Sequence, residues 1–325
     1  MSDKTENKPQ NMFDKAKSLF TKSRIKDFFP FFGLVVIIVL FDIFTNGQLL
    51  QAKSLNLILS QLYVPMIACI GVFMVMTIGG LDLSQGSILG ISSIVISFLS
   101  YYSIILAIIG GIAMGAFVGA INGFFHVKFK IPSFIVTVCT MYLFRGLCAF
   151  FTTSSPASAV ASITNLNMTW LKLFITIFVL IICSLVYRYS KLGLVLKSTG
   201  AGETAARFSG IKTDKVKFLV FLAAGAITGF AAFLNVIKVG SVTSSAGSQL
   251  EIQVLTALVL GGLPISGGSK SHFSSVIVGT FIYCILNNGL VMMGFDSAVQ
   301  QLVKGVIFVI IVALTIDRKS NAVIK

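Results

Sequence analysis

From Pro30 onwards the chain is a succession of apolar runs, each cut by glycine, proline, serine or charge, and this pattern fixes the solvent before it fixes the fold. Ten runs are separable, near 30–45, 55–78, 86–101, 103–125, 132–152, 171–187, 216–237, 252–263, 273–293 and 298–316. Of the 325 residues, 56% are hydrophobic and 11% charged. An average soluble domain carries about 25% charged residues, so most helices here must be apolar on every side and face lipid or one another. The expectation is an all-α integral membrane protein with about ten transmembrane segments. A polar tail spans 1–28, one membrane domain 29–317 and a second tail 318–325. The first apolar run has no small-residue cleavage pattern, so a removable signal peptide is not expected.

A net charge of +14 would suggest nucleic acid in a soluble protein. Beside membrane helices it reports orientation and contact with anionic lipid headgroups instead, and no nucleic-acid partner is expected. Ten spans with an inside N-terminus put twenty of the 25 Lys and Arg residues on one side. These fall in the two tails, at Lys128 and Lys130, between Arg188 and Lys217, and at Lys270. The other side receives Lys53, Lys172 and Lys238, while Arg145 and Lys304 fall inside apolar runs. Both termini are therefore expected in the cytoplasm of a bacterial cell, with the chain multi-pass in its cytoplasmic (inner) membrane. The five cysteines lie in apolar stretches without CxxC spacing and read as packing residues rather than disulfide or metal ligands.

Residues 79–87 (GGLDLSQGS) and 261–269 (GGLPISGGS) agree at six of nine positions, which suggests two internally related halves near 55–152 and 250–316. Glycine-cut, short segments at 86–101 and 252–263 point to helices broken at membrane depth, where backbone groups line a cavity. A twelve-residue helix reaches only about 18 Å of a hydrocarbon core about 30 Å thick. Gating breaks are assigned to Gly79, Gly80, Asp82 and Ser84 in the first motif and to Gly261, Gly262 and Pro264 in the second. Whether the halves are parallel or inverted, and how deep Asp82 lies, stays open.

No enzyme constellation is present: the histidines are His126 and His272, no G-x-S-x-G elbow occurs, and GGLPISGGSKS departs from a phosphate loop because Ser269 separates Gly268 from Lys270. The costly residues inside apolar runs are Asn122, Arg145, Glu251, Gln253, Asn287, Asn288, Gln300, Gln301 and Lys304. A charge at the bilayer centre costs at least about 2.5–3.5 kcal/mol on insertion scales. Singly, each such residue can serve an interhelical hydrogen bond; together they describe a polar route for a neutral, hydroxylated solute. The amphiphilic segment Gly200–Ile211 (GAGETAARFSGI) reads either as an interfacial helix lying on lipid or, through its small Ala205, Ala206 and Ser209, as a surface another protein can approach.

Five stretches in order, GGLDLSQGS, the run from Gly119 reading GAINGFFHVKFKIPSFIVTVCTMYLFRGL, GAGETAARFSGI, LVLGGLPISGG and LNNGLVMMG, resemble the membrane permease subunits of bacterial ribose-type ABC sugar importers. The resemblance covers nearly all of the chain after Phe28. It implies a second permease subunit, identical or not, a cytoplasmic ABC ATPase that holds ATP and Mg, and an extracytoplasmic sugar-binding protein. By the same token this chain has no catalytic residue, metal, cofactor or nucleotide site of its own. It further implies that the loop 188–215 is cytoplasmic and couples to the ATPase through Gly200, Gly202, Glu203, Ala205, Ala206, Arg207, Ser209 and Gly210. Gly202 stands where the family commonly has Asn, and Pro264 where it usually has a small polar residue. The substrate pathway is assigned to Asn122, Thr137, Thr140, Asn287, Asn288 and Gln300. A stand-alone secondary transporter or facilitator is the alternative function, and pentoses, hexoses and cyclic polyols all remain open as solutes.

Overall fold

The structure, a computed structural model, describes residues 30–268 and 270–315; the two tails and their basic residues lie outside the described residues. Each of the ten apolar runs is a helix. These are α1 (Pro30–Phe44), α2 (Ala52–Thr77), α3 (Gln85–Leu99), α4 (Ile104–Lys128), α5 (Ser133–Thr152), α7 (Thr169–Tyr189), α10 (Thr213–Val239), α11 (Leu250–Leu260), α12 (Ser274–Met292) and α13 (Ser297–Thr315). The connections carry α6 (Ala161–Thr164), α8 (Lys191–Ala201) and α9 (Glu203–Phe208), and one antiparallel ribbon of β1 (Ala157–Ser158) and β2 (Ser241–Val242).

Among the described residues six helices, α2, α4, α5, α7, α10 and α12, are long and apolar enough to cross a membrane. The expectation of about ten transmembrane segments thus resolves into six helices of crossing length and four shorter apolar ones. For α1, α3 and α11 length is the reason, and of α13 the apolar helix counted is Ser297–Ala313. At 1.5 Å per residue, α3 reaches only about 22 Å and α11 about 16 Å, short of a full hydrocarbon core.

The centre of the bundle is α2 and α10, buried along most of their lengths, whereas little of α7 is buried. Glycines set how closely the central helices approach. On α4, Gly111, Gly115, Gly119 and Gly123 recur every fourth residue on one face; a Cβ on Gly115 or Gly119 would collide with the α10 backbone at Gly225 or Phe221, and one on Gly111 would lie 3.2 Å from the Gly229 carbonyl. The reciprocal Cβ on Gly225 or Gly229 would strike the Gly115 or Gly111 carbonyl. Lipid tails are as apolar as leucine, so membrane helices gain their attraction from such close backbone packing rather than from escape from water.

One end of the bundle is basic. There Lys130 pairs with Asp214 at 2.9 Å, the Tyr187 hydroxyl donates to the Ser271 carbonyl, and Gly268 N–H donates to the Thr77 carbonyl at 2.9 Å. The opposite end carries the ribbon, where Val160 N–H donates to the Ser100 hydroxyl and Ala159 N–H to the Gly240 carbonyl. These contacts orient the two broken regions. The helix α2 runs to the basic end and α3 returns towards the ribbon, whereas α10 runs to the ribbon and α11 returns towards the basic end. Each long helix stops at a glycine in the left-handed region, Gly79 (φ +80°) after α2 and Gly240 (φ +70°) after α10, a conformation that side chains with a Cβ rarely adopt.

Candidate functional site

The first break, residues 78–84, climbs from the end of α2 along the opening turns of α5. Its N–H groups are taken up by hydroxyls: Leu81 N–H donates to Ser133 Oγ at 3.0 Å and Leu83 N–H to Thr137 Oγ1 at 3.2 Å. Asp82 is 1% exposed, and both carboxylate oxygens are occupied. Oδ1 accepts from Ser84 N–H (2.8 Å) and Ser84 Oγ (2.6 Å), and Oδ2 accepts from Gln85 Nε2 (2.5 Å). The knot extends outwards: Asn122 Nδ2 donates to Ser84 Oγ at 2.8 Å, Thr140 Oγ1 to Asn122 Oδ1 at 2.7 Å, and Thr228 Oγ1 to Gln85 Oε1. Four helices, α3, α4, α5 and α10, are thereby pinned around one carboxylate. A fully satisfied buried network of this kind fixes a unique arrangement, whereas an unsatisfied group in the same place would cost about 1–3 kcal/mol.

The six residues assigned to a pathway occupy three places. Asn122, Thr137 and Thr140 are buried in the knot around Asp82, where their polar atoms already have partners. Asn288 is buried between α12 and α2, its Nδ2 donating to Gln61 Oε1 at 3.1 Å and to the Cys284 carbonyl at 2.8 Å. Asn287 accepts from Lys304 Nζ at 2.5 Å, while Gln300 Nε2 donates to the Phe295 carbonyl at 2.8 Å. No single wall contains all six.

The second break follows Gly240. After pairing as β2, the chain turns back into the bundle as Thr243–Gln249, a non-helical stretch whose backbone presses on α3. A Cβ on Gly247 would collide with the Gly86 carbonyl, and one on Gly90 would come within 2.9 Å of the Ala246 carbonyl. Beside this contact Arg145 Nη2 from α5 meets Glu251 at the start of α11, at 3.1 and 3.3 Å from its two carboxylate oxygens. The glutamate is buried and the arginine partly exposed. Thr243, Ser244, Ser245, Ser248 and Gln249 are exposed. Sequence reasoning singled out Arg145 and Glu251 but passed over 243–249, although its glycine- and serine-rich composition directly after a long apolar run is the same signal that marked 79–87.

The second motif lies at the basic end, after α11. A Cβ on Gly261 would strike the Ser275 carbonyl of α12, Gly262 has φ +84°, and Pro264 is half-buried in the turn that follows. The two similar motifs meet there: a Cβ on Gly267 would collide with the Met76 carbonyl, and one on Gly79 would lie 3.5 Å from the Ser266 carbonyl. Gly200, the penultimate residue of α8, packs into the same junction, where a Cβ would run into the Thr77 carbonyl.

From this junction α9 projects. Gly202 is the extended hinge between α8 and α9, and Glu203 opens α9 with its carboxylate held by Lys217 Nζ (2.6 Å) and Arg207 Nη2 (3.1 Å). The hydrogen bond from Lys217 keeps that carboxyl below the usual glutamate range. Arg207 also reaches Thr213 and Asp214, so α9 is tied to the start of α10. Ala206 is 4% exposed and faces the bundle, while Ala205, Arg207, Ser209 and Gly210 are exposed. Phe208, which the sequence reading left out, is 88% exposed, the most exposed large apolar side chain among the described residues.

Residues 54–312 match the family described as branched-chain amino acid transport system / permease component. The ribose import permease protein RbsC of Bacillus subtilis (strain 168) is 32% identical over 304 residues, covering 90% of this chain and 93% of that protein. The ribose import permease protein RbsC of Escherichia coli (strain K12) is 28% identical over 314 residues, covering 93% and 97%. The fructose import permease protein FrcC of Rhizobium meliloti is 27% identical over 304 residues, covering 88% and 84%. No solved structure matches the chain. With the family match running from the first turn of α2 into α13, and with relatives aligned over nine-tenths of its length, the chain belongs to this family of multi-pass membrane permease components, among the ribose-type permeases of ABC importers.

Proposed function

We propose that this chain is the permease subunit of an ABC importer and forms the transmembrane path for a simple sugar or a similar small polyhydroxylated solute. The observation that carries the reading is the similarity, over about nine-tenths of the chain, to permeases named for ribose import. ATP and Mg belong to separate ATPase subunits; this chain contributes neither a nucleotide site nor a cofactor. Its partners are a second permease subunit, the cytoplasmic ATPase, an extracytoplasmic sugar-binding protein and the surrounding lipid.

The basic end faces the cytoplasm in this reading, an orientation supported by Lys128, Lys130, Lys270 and the basic run from Arg188 to Lys217, against Lys53, Lys172 and Lys238 at the other end. The tails at 1–28 and 318–325 then fall on the cytoplasmic side. The related halves, expected near 55–152 and 250–316, are redrawn in this reading as α2–α5 and α10–α13, on their shared order of long helix, break, short helix and two further helices, traversed in opposite directions. The junction of Gly200, Thr77 and Gly268 links the ATPase-facing α9 to both glycine motifs, so ATPase closure can bias the breaks at Gly79, Gly80, Asp82 and Ser84 and at Gly261, Gly262 and Pro264.

The test is reconstitution with the ATPase and binding protein in vesicles. Sugar uptake is expected to require hydrolysable ATP and to ignore ion gradients. Uptake that persists without ATP while an ion gradient is kept would instead identify a stand-alone secondary transporter.

A further inference from the structure

The stretch Thr243–Gln249 is hard to reconcile with a lipid-facing position. Gly247 touches Gly86, thirteen residues before Leu99 at the ribbon end of α3, which places it about 20 Å inside the bundle at 1.5 Å per residue. Irregular backbone at that depth is tolerated only where protein buries it or where it lines water, because each unsatisfied polar group in hydrocarbon costs several kcal/mol. Within this chain, protein covers one side alone. The backbone leans on α3 through Ala246 and Gly247, while Thr243, Ser244, Ser245, Ser248 and Gln249 stay exposed on the other.

We infer that Thr243–Gln249, with the adjoining Arg145–Glu251 pair, forms a binding subsite for a neutral polyhydroxylated solute, open to water from the ribbon end. The inference rests on the importer reading above and adds the residues that meet the solute. Four hydroxyl groups and one amide supply donors and acceptors of both kinds without charge, which suits the hydroxyls of a monosaccharide. Arg145 and Glu251 cancel each other at 3.1 Å, so the wall carries no net charge to hold an ion, while the exposed part of the guanidinium still offers N–H donors to a sugar oxygen. Thr243 Oγ1 and Ser245 Oγ hydrogen-bond to each other at 2.9 Å, which uses one proton and one lone pair and leaves the pair a further donor and acceptors for a solute hydroxyl. The knot around Asp82 adjoins α3's first turn with its polar atoms already engaged, so it braces the wall rather than lining it.

The experiment uses Ser244→Cys and Ser248→Cys in a Cys139→Ala background, since Cys139 is the exposed native thiol among the described residues. A membrane-impermeant thiol reagent is applied from the ribbon side to the reconstituted importer, with Val309→Cys on the exposed face of α13 as the lipid-facing control. The sugar is whichever of ribose, fructose, allose and galactose, the solutes for which related permeases are named, the importer carries. Both serine variants are expected to react and the control to stay unmodified. Modification is expected to lower uptake about tenfold or more, equivalent to a barrier rise of about 1.4 kcal/mol. Sugar at about ten times its dissociation constant is expected to slow the reaction about tenfold. Absence of labelling at both positions, or labelling that no transported sugar slows, would overturn the subsite. If uptake persists without ATP while an ion gradient is kept, the importer reading fails instead, whereas labelling of 244 and 248 with an unmodified 309 still reports the water-lined wall.

Discussion

Phe208 concentrates the coupling prediction in one side chain. An aromatic ring left 88% exposed at the tip of a short helix, on the basic end, is the kind of anchor that carries a large share of an interface's binding energy when it fills a partner's pocket. Phe208→Ala is expected to weaken capture of the ATPase by about 2 kcal/mol or more and to lower substrate-stimulated ATP hydrolysis accordingly. Insertion and thermal unfolding should not change. A stimulated rate equal to that of the unaltered chain would remove Phe208 from the interface. Ala206 makes the opposite case: its spacing within GAGETAARF marks it as a small contact residue, but the fold turns it inwards, so enlarging it disturbs the bundle before it disturbs the partner. Which face of a six-residue helix points outwards is set by the ties to Lys217, Thr213 and Asp214, and no local pattern in the sequence carries that information. Glu203 supplies a pH test. Its folded-state pKa is depressed, chiefly by the Lys217 hydrogen bond, so its contribution is complete above the unfolded value of about 4.3 and is lost as pH falls through the lower folded value. Partly exposed pairs of this type are worth about 0.2–1 kcal/mol, and coupling is expected to be flat between about pH 6 and 8. Glu203→Gln should weaken coupling modestly and equally across that range. A slope confined to the unaltered chain would show that Glu203 titrates there.

Among the elements, the α4–α10 pair is where substitution should cost most. Gly115 faces the Gly225 and Gly229 backbone, and backbone cannot rotate aside as a flexible side chain can. Gly115→Leu is expected to destabilise the bundle by about 3 kcal/mol, the upper part of the usual overpacking range, seen as a fall of several degrees in the unfolding temperature of the detergent-solubilised protein. Gly146→Leu on α5 is the control, because a Cβ there meets nothing within 4 Å. Equal behaviour of the two variants would mean that α4 and α10 do not pack through their glycines. The existence of all ten apolar helices was legible from hydrophobicity, since length and apolarity are local properties. The glycines of α4 stand at a four-residue period that the sequence reading did not use, and their partner is not local, because α10 lies about a hundred residues further along the chain. The stretch Thr243–Gln249 carries a composition signal in the sequence, but its depth is not local. A run of Thr, Ser and Gly reads as a surface loop unless its depth is known, and depth comes only from Gly86 and Gly90 on α3.

At the scale of the whole molecule, orientation and symmetry constrain each other. The similarity of GGLDLSQGS and GGLPISGGS suggests halves in register at those motifs, but the first stands between α2 and α3 and the second between α11 and α12. The equivalent of the first break in element order is therefore the stretch after Gly240, which shares little sequence with it. Evolutionary likeness and architectural likeness point to different partners because a left-handed glycine turn followed by small residues is the common answer wherever a helix must stop inside a membrane. An inverted pair of halves needs the two ends of the bundle to face opposite compartments, and the proposed orientation puts the basic end in the cytoplasm. Ser209→Cys beside α9 and Ser158→Cys in the ribbon, both exposed, test this in the Cys139→Ala background. In sealed right-side-out vesicles an impermeant thiol reagent is expected to modify 158 and to reach 209 only after the membrane is permeabilised. Addition of the ATPase should then shield 209 and leave 158 unaffected. Reaction of both thiols from one side would rule out the orientation, the inverted halves and the coupling role of α9 together, because each requires the ribbon and α9 to lie on opposite faces of the membrane.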